Sequence, residues 1–171
     1  ILPRRVHRDR RLGRGIAVDG RREDFGARIA LYEKVPVVAA DTDRLGHTNN
    51  TAYLRWMEEA SWAHIEPVGM SWGVHEQTGK AMASWRTDSD YLGSSHAGDE
   101  LLVATWITAC DGRLTSRRAF QIVHEASGRT LARAECRYAC IDLCTGRASR
   151  MPEAFVTAHR QAIAAWNPVP S

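Results

Sequence analysis

The sequence predicts an α+β domain in which a curved antiparallel β-sheet wraps around one long central α-helix. Two observations carry that expectation. Residues 50–66 (NTAYLRWMEEASWAHIE) keep a helical period while their apolar surface spreads well beyond a narrow stripe, so the helix needs cover on several sides. After it come four apolar-rich segments, 81–92, 99–110, 114–126 and 129–143, separated by GSSHAG, DGR and SG. Such short glycine-containing connections belong to an antiparallel meander. Neither the helix nor the sheet hides its apolar face alone, and packing one into the other solves both problems.

The elements follow in order. Residues 1–28 read as a basic, poorly packing and mobile N-terminal extension, and 29–171 as the folded domain. IALYEKVPVVAA (29–40) is the first strand. The helix at 50–66 is closed by Pro67 and Gly69. On it Tyr53, Met57, Ala60 and His64 share a face, and Leu54, Trp56, Ala63 and Ile65 widen the apolar surface. A loop is expected around Gly73 to Gly79. MPEAFVTAHRQAIAAW (151–166) forms a terminal helix with Pro152 near its first turn.

A chain of 171 residues with 44% hydrophobic and 25% charged content fits one domain with a self-sufficient core. No apolar run approaches the roughly 18 to 20 residues of a membrane span, and no compact signal region opens the chain, so a soluble cytoplasmic protein with no membrane partner is expected. The first 30 residues hold nine arginines against four acids, leaving 14 basic against 16 acidic residues elsewhere. No aromatic residues interleave with those arginines as in single-strand binders, so a nucleic-acid partner is not expected. Cys136, Cys140 and Cys144 have a metal-like spacing. On a strand, however, residues four apart are separated by about 13 Å, too far for one zinc, and with Cys110 they read as reduced, buried thiols.

The densest polar chemistry sits where the first strand gives way to the helix, in VPVVAADTDRLGHTNNTAYLRWMEEA (35–60). Two acids, a glycine, a histidine and two asparagines crowd one corner. No Gly-x-Ser-x-Gly elbow occurs in the chain, which counts against serine-dependent hydrolysis. Asp41 and Asp43 without phosphate-cradling glycines are a weak magnesium signal, and no metal is assigned. DTDRLGHTNNTAYLRWMEEA resembles the Asp-x-Asp-x-x-Gly-His-x-Asn-Asn-x-x-Tyr signature of hotdog-fold thioesterases, in the branch named for 4-hydroxybenzoyl-CoA thioesterase. DYLGSSHAGDELLVATWITACDG and IDLCTGRASRMPE are similar to later segments of that family, and the likeness spans about residues 29–158.

The resemblance implies hydrolysis of an acyl-CoA or acyl-carrier-protein thioester to an acid and a thiol, without a cofactor. It makes Asp43 the carboxylate, as nucleophile or as general base. One carboxylate suits the task, since a thiol of pKa about 8.5 departs as thiolate without a strong proton donor. By the same resemblance the Asn50 backbone N–H polarises the carbonyl, and Gly46, Asn49 and Tyr53 contact substrate. Unpaired N–H groups at a helix start suit an oxyanion, while Asn49 or Asn50 is equally an ordinary N-cap.

His47 is grouped with the catalytic corner for positioning. Plant acyl-carrier-protein thioesterases carry a related Asp-x-Asn-x-His-x-Asn-Asn pattern, but Leu45 stands at the intervening Asn, so His47 receives no base role. Asp41 either tunes Asp43 or caps the loop or faces solvent. Glu58 matches an acid common on this helix, expected to anchor it by accepting hydrogen bonds and otherwise the alternative catalyst, whereas Glu59 has no counterpart. Arg113, Arg117 and Arg118 are candidates for the CoA phosphates, and Trp56, Met57 and Trp62 for the acyl pocket. A homodimer or homotetramer with sheets joined edge to edge is implied. A hotdog dehydratase or hydratase and a non-catalytic thioester-binding protein are the rival readings.

Overall fold

The computed structural model describes residues 31–166; the basic extension expected at 1–28 lies outside them. Five strands make one sheet: β1 (Leu31–Pro36), β2 (Lys80–Tyr91), β3 (Glu100–Cys110), β4 (Thr115–His124) and β5 (Thr130–Asp142). Their spatial order is β1-β3-β4-β5-β2, and each neighbouring pair is antiparallel. Of the four segments expected to run as one meander, β3, β4 and β5 do so, whereas β2 does not pair with β3 and instead lies against β5, because the sheet places β1 beside β3. β1 and β2 occupy opposite edges, so the chain must cross the sheet between them, and α1 (Asn50–Ile65) and α2 (Trp72–Thr78) lie in that crossing. The terminal helix α3 spans Glu153–Trp166.

Packing follows the two periodicities. Along α1, Tyr53, Trp56, Met57 and Ala60 are buried, and they meet Leu101 and Val103 of β3, Phe120 and Ile122 of β4 and Leu131 of β5. Alternate strand residues share a face, so the parity of those positions defines the side that holds the helix. His64 is buried on the same helix, in line with the face expected for it. Tyr53 stands edge-on to both Trp56, at 5.5 Å, and Tyr91, at 5.6 Å, an arrangement that suits aromatic quadrupoles. A second cluster, with Met70, Cys140, Met151, Phe155 and Val156, seats α3.

Two elements differ from the sequence expectation. The first strand ends at Pro36, which has no N–H to continue a ladder, and the chain turns through a 3-10 helix at Ala39–Asp41. The segment expected to be a loop around Gly73 to Gly79 is the helix α2. Trp72 and His75 stack within it, and His75 reaches Trp62 at 5.2 Å and Phe155 at 4.9 Å, so tertiary aromatic contacts hold a helix that local propensity does not advertise. Gly79 ends it in the left-handed conformation at φ +63°, its N–H meeting the Glu76 and His75 carbonyls. Among the described residues no helix is long and apolar enough to cross a membrane.

Candidate active site

The two acids of the corner part company in the structure. Asp41 is 6% exposed. One carboxylate oxygen accepts the Val38 N–H at 3.1 Å and the other meets the Arg55 guanidinium at 2.5 Å, while the Asp41 carbonyl accepts the Asn49 N–H. Asp41 thus closes the 3-10 turn and ties it to α1, so of the readings left open it is the one that caps the loop.

Asp43 is exposed. Its Oδ1 accepts the Leu45 N–H at 2.8 Å and the His47 N–H at 3.3 Å, and its own N–H binds the His47 carbonyl. The turn closes through the Gly46 N–H on the Asp43 carbonyl. Gly46 sits at φ +74°, and a Cβ there would meet nothing within 4 Å. The glycine is therefore required by torsion and not by crowding. With Oδ1 held by the backbone, Oδ2 has no protein partner among the described residues.

The corner is fastened to the β2–β3 connection through Ser95, which is fully buried. The Thr48 N–H donates to the Ser95 carbonyl at 2.8 Å, and the Ser95 hydroxyl lies 2.7 Å from Thr48 Oγ1 and 3.0 Å from the Tyr53 hydroxyl. His47 packs edge-on to His96 at 5.2 Å. Sequence reasoning passed over Ser95 and His96 as part of a connection. Asn49 is the N-cap of α1, its Oδ1 accepting the Thr51 N–H at 2.9 Å. Asn50, the first residue of the helix, is exposed, and its N–H has no acceptor among the described residues.

A cavity of about 430 Å³ opens between α1 and the sheet. Leu54, Met57, Glu58, Ser61 and Trp62 line it from the helix, and Met82, Ser84, Thr87, Phe120 and Tyr138 from the strands. No residue of the 41–50 corner belongs to its lining.

Residues 37–159 match the family described as the thioesterase-like superfamily. The chain belongs to the thioesterase-like superfamily. YneP of Bacillus subtilis, named "Putative acyl-CoA thioesterase", is 24% identical over 127 residues, 74% of this chain and 91% of that protein. Slr0204, a 1,4-dihydroxy-2-naphthoyl-CoA thioesterase from Synechocystis, superposes with TM-score 0.67 at 25% identity, over 75% of this chain and 94% of its own. SAV2348 from Staphylococcus aureus, solved in complex with CoA, superposes with TM-score 0.71 at 18% identity, over 82% and 85% of the two chains. The helix-wrapping sheet of this superfamily member is the hotdog fold.

On this thioesterase fold several expected site residues take other places. Tyr53, expected to contact substrate, is 2% exposed, because its side chain lies on the core face of α1 and Ser95 satisfies its hydroxyl. Arg118, expected among the phosphate contacts, is 5% exposed. It shares the inward face of β4 with Phe120 and Ile122, whereas its neighbour Arg117 points the other way and is exposed. Arg113 is exposed in the β3–β4 turn, and neither it nor Arg117 lines the cavity. Glu58 accepts no hydrogen bond among the described residues; instead of anchoring the helix it lies exposed at the cavity. Trp62 and Met57 line the cavity, and Trp56 is buried in the core.

Proposed function

We propose that this thioester hydrolase cleaves acyl-CoA thioesters, with Asp43 as general base and the Asn50 backbone N–H as the carbonyl-polarising donor. The observation that carries the reading is the state of Asp43: one oxygen is fixed by two backbone N–H groups and the other is open to solvent. A carboxylate so held has a defined direction and a free lone pair for water. The oxygen of that water adds to the carbonyl carbon while Asp43 takes its proton. The oxyanion is received by the Asn50 N–H at the start of α1, and the C–S bond breaks, its electron pair leaving with the thiolate, which recovers the proton. Gly46 and Asn49 shape the turn from which Asp43 acts, and His47 positions it through backbone contacts. CoA is preferred to a carrier protein as the donor because a structural neighbour was solved with CoA. The exposed Arg113 and Arg117 are the phosphate contacts in this reading. Release of thiol from an acyl-CoA panel, followed with a thiol-reactive dye, tests it. Cleavage of a panel member is the expected result; tight binding without cleavage would favour the thioester-binding alternative, and water addition to or loss from the acyl chain would favour the dehydratase.

The same reading includes a homodimer at least, paired along β2. That strand bonds to β5 on one side only among the described residues, and an open edge invites a partner. The corner and the cavity share no residue within one chain, which fits a site completed by a second copy. Sedimentation at micromolar concentration is expected to give a dimer or tetramer, and a purely monomeric profile would sink the pairing.

A further inference from the structure

We propose that Arg118 is a receptor for an anion at the far end of the acyl group, so that the preferred substrates are thioesters whose acyl chain ends in a carboxylate. The inference rests on the thioesterase reading above, since it assigns the cavity to the acyl chain. Arg118 lines that cavity from β4 and is buried. Its Nη1 donates to His64 Nδ1 at 2.9 Å and to Thr105 Oγ1 at 3.1 Å. A guanidinium carries five N–H donors, so most of its capacity is unspent. No carboxylate lies within salt-bridge distance of it among the described residues.

The surrounding groups do not neutralise the charge. Burial, reinforced by the Arg118 charge, holds His64 down to about 3, so at neutral pH its ring is the uncharged acceptor. His159, which also lines the cavity, is lowered too, chiefly by burial. Tyr138 is pushed up to about 12 by burial and stays protonated. Burial draws Arg118 down to about 10, which still leaves it charged. The carboxylate in the lining, Glu58, is exposed. The inner cavity therefore presents one desolvated cation with no anionic partner among the described residues, an arrangement that is costly unless something supplies the anion. A purely structural bridge from Thr105 to His64 needs two N–H donors and no charge, which a glutamine amide provides. The cavity lining also includes Met57, Met70, Ile107 and Phe120, apolar surface suited to methylenes leading to a charged end. A cavity of about 430 Å³ is in the range of small-ligand sites.

The test compares CoA monothioesters of adipic and sebacic acid with hexanoyl-CoA and decanoyl-CoA, in wild type and in Arg118→Met. The readout is the ratio of kcat/KM for the carboxylate-ended to the methyl-ended chain within one protein. Wild type is expected to favour the carboxylate-ended member of at least one pair by about tenfold to a hundredfold, and Arg118→Met to bring that ratio to one or below. A wild-type ratio at or below one in both pairs overturns the proposal, as does a preference that survives Arg118→Met.

Should Arg118→Met fail to fold, Arg118→Gln, whose amide keeps N–H donors for Thr105 and His64, takes its place, and melting with hexanoate and octanoate against hexanamide and octanamide decides the matter: the carboxylates raise the melting temperature above the isosteric amides in wild type and lose that advantage in Arg118→Gln. Equal effects of acid and amide in wild type, or an advantage that survives Arg118→Gln, overturn the receptor. This arm does not depend on turnover, so absence of hydrolysis would count against the proposed function while the melting comparison still judged Arg118.

Discussion

Asp43→Asn lowers turnover of the best acyl-CoA substrate by about 10² to 10⁴, the scale of a positioned acid-base group, and leaves its binding in place. The substitution preserves size and retains an amide oxygen to accept the Leu45 and His47 N–H groups, so the turn persists. What disappears is the basic oxygen that takes the proton from water. Stability should change little, because the carboxylate is exposed and makes no ion pair among the described residues. Glu58→Gln is the companion measurement, since Glu58 is the carboxylate that lines the cavity and has no hydrogen bond among the described residues to lose. Near-normal turnover in folded Asp43→Asn together with an inactive Glu58→Gln would move the chemistry from the loop to the helix.

Asp41→Asn is expected to do the reverse. It replaces an oxygen facing Arg55 or Val38 with an NH₂ group, so one of two donors loses its acceptor inside a buried turn. Hydrogen bonds to charged groups contribute about 1.5–3 kcal/mol, and Arg55 is about half exposed, which argues for the lower end of that range. A loss of about 2 kcal/mol in a urea titration, with turnover within about tenfold of wild type, is the expected outcome. Unchanged stability with a hundredfold loss of turnover would place Asp41 in the chemistry.

Most of the architecture could be read from periodicity. The long helix and the four later strands fall within a residue or two of their expected bounds, because each is both strongly patterned and bounded by glycine or proline. α2 escaped notice because its glycines read as loop punctuation, although Gly79 is the stop signal of a helix held by Trp62 and Phe155, residues distant in sequence. The corner was recognisable as a site, but the division of labour between Asp41 and Asp43 was not. Which acid faces Arg55 depends on how the 3-10 turn lies against α1, and no local pattern encodes that. Arg118 had a usable signal. Adjacent residues of a strand face opposite ways, so Arg117 and Arg118 cannot both lie on one surface, and Arg118 has the parity of Phe120 and Ile122.

The separation between the corner and the cavity bears on how this protein can change over generations. Asp43 is set by the backbone of its own turn, which Ser95 fastens through Thr48, whereas in the proposed reading the acyl chain meets Met57, Trp62, Arg118 and Tyr138, none of which touches that turn through a hydrogen bond described above. Substitutions that reshape the cavity can therefore accumulate without disarming the carboxylate. A lineage built on this plan can trade one acyl group for another in single steps, each intermediate retaining some activity, and a mutagenesis library confined to the cavity should yield altered selectivity far more often than dead protein.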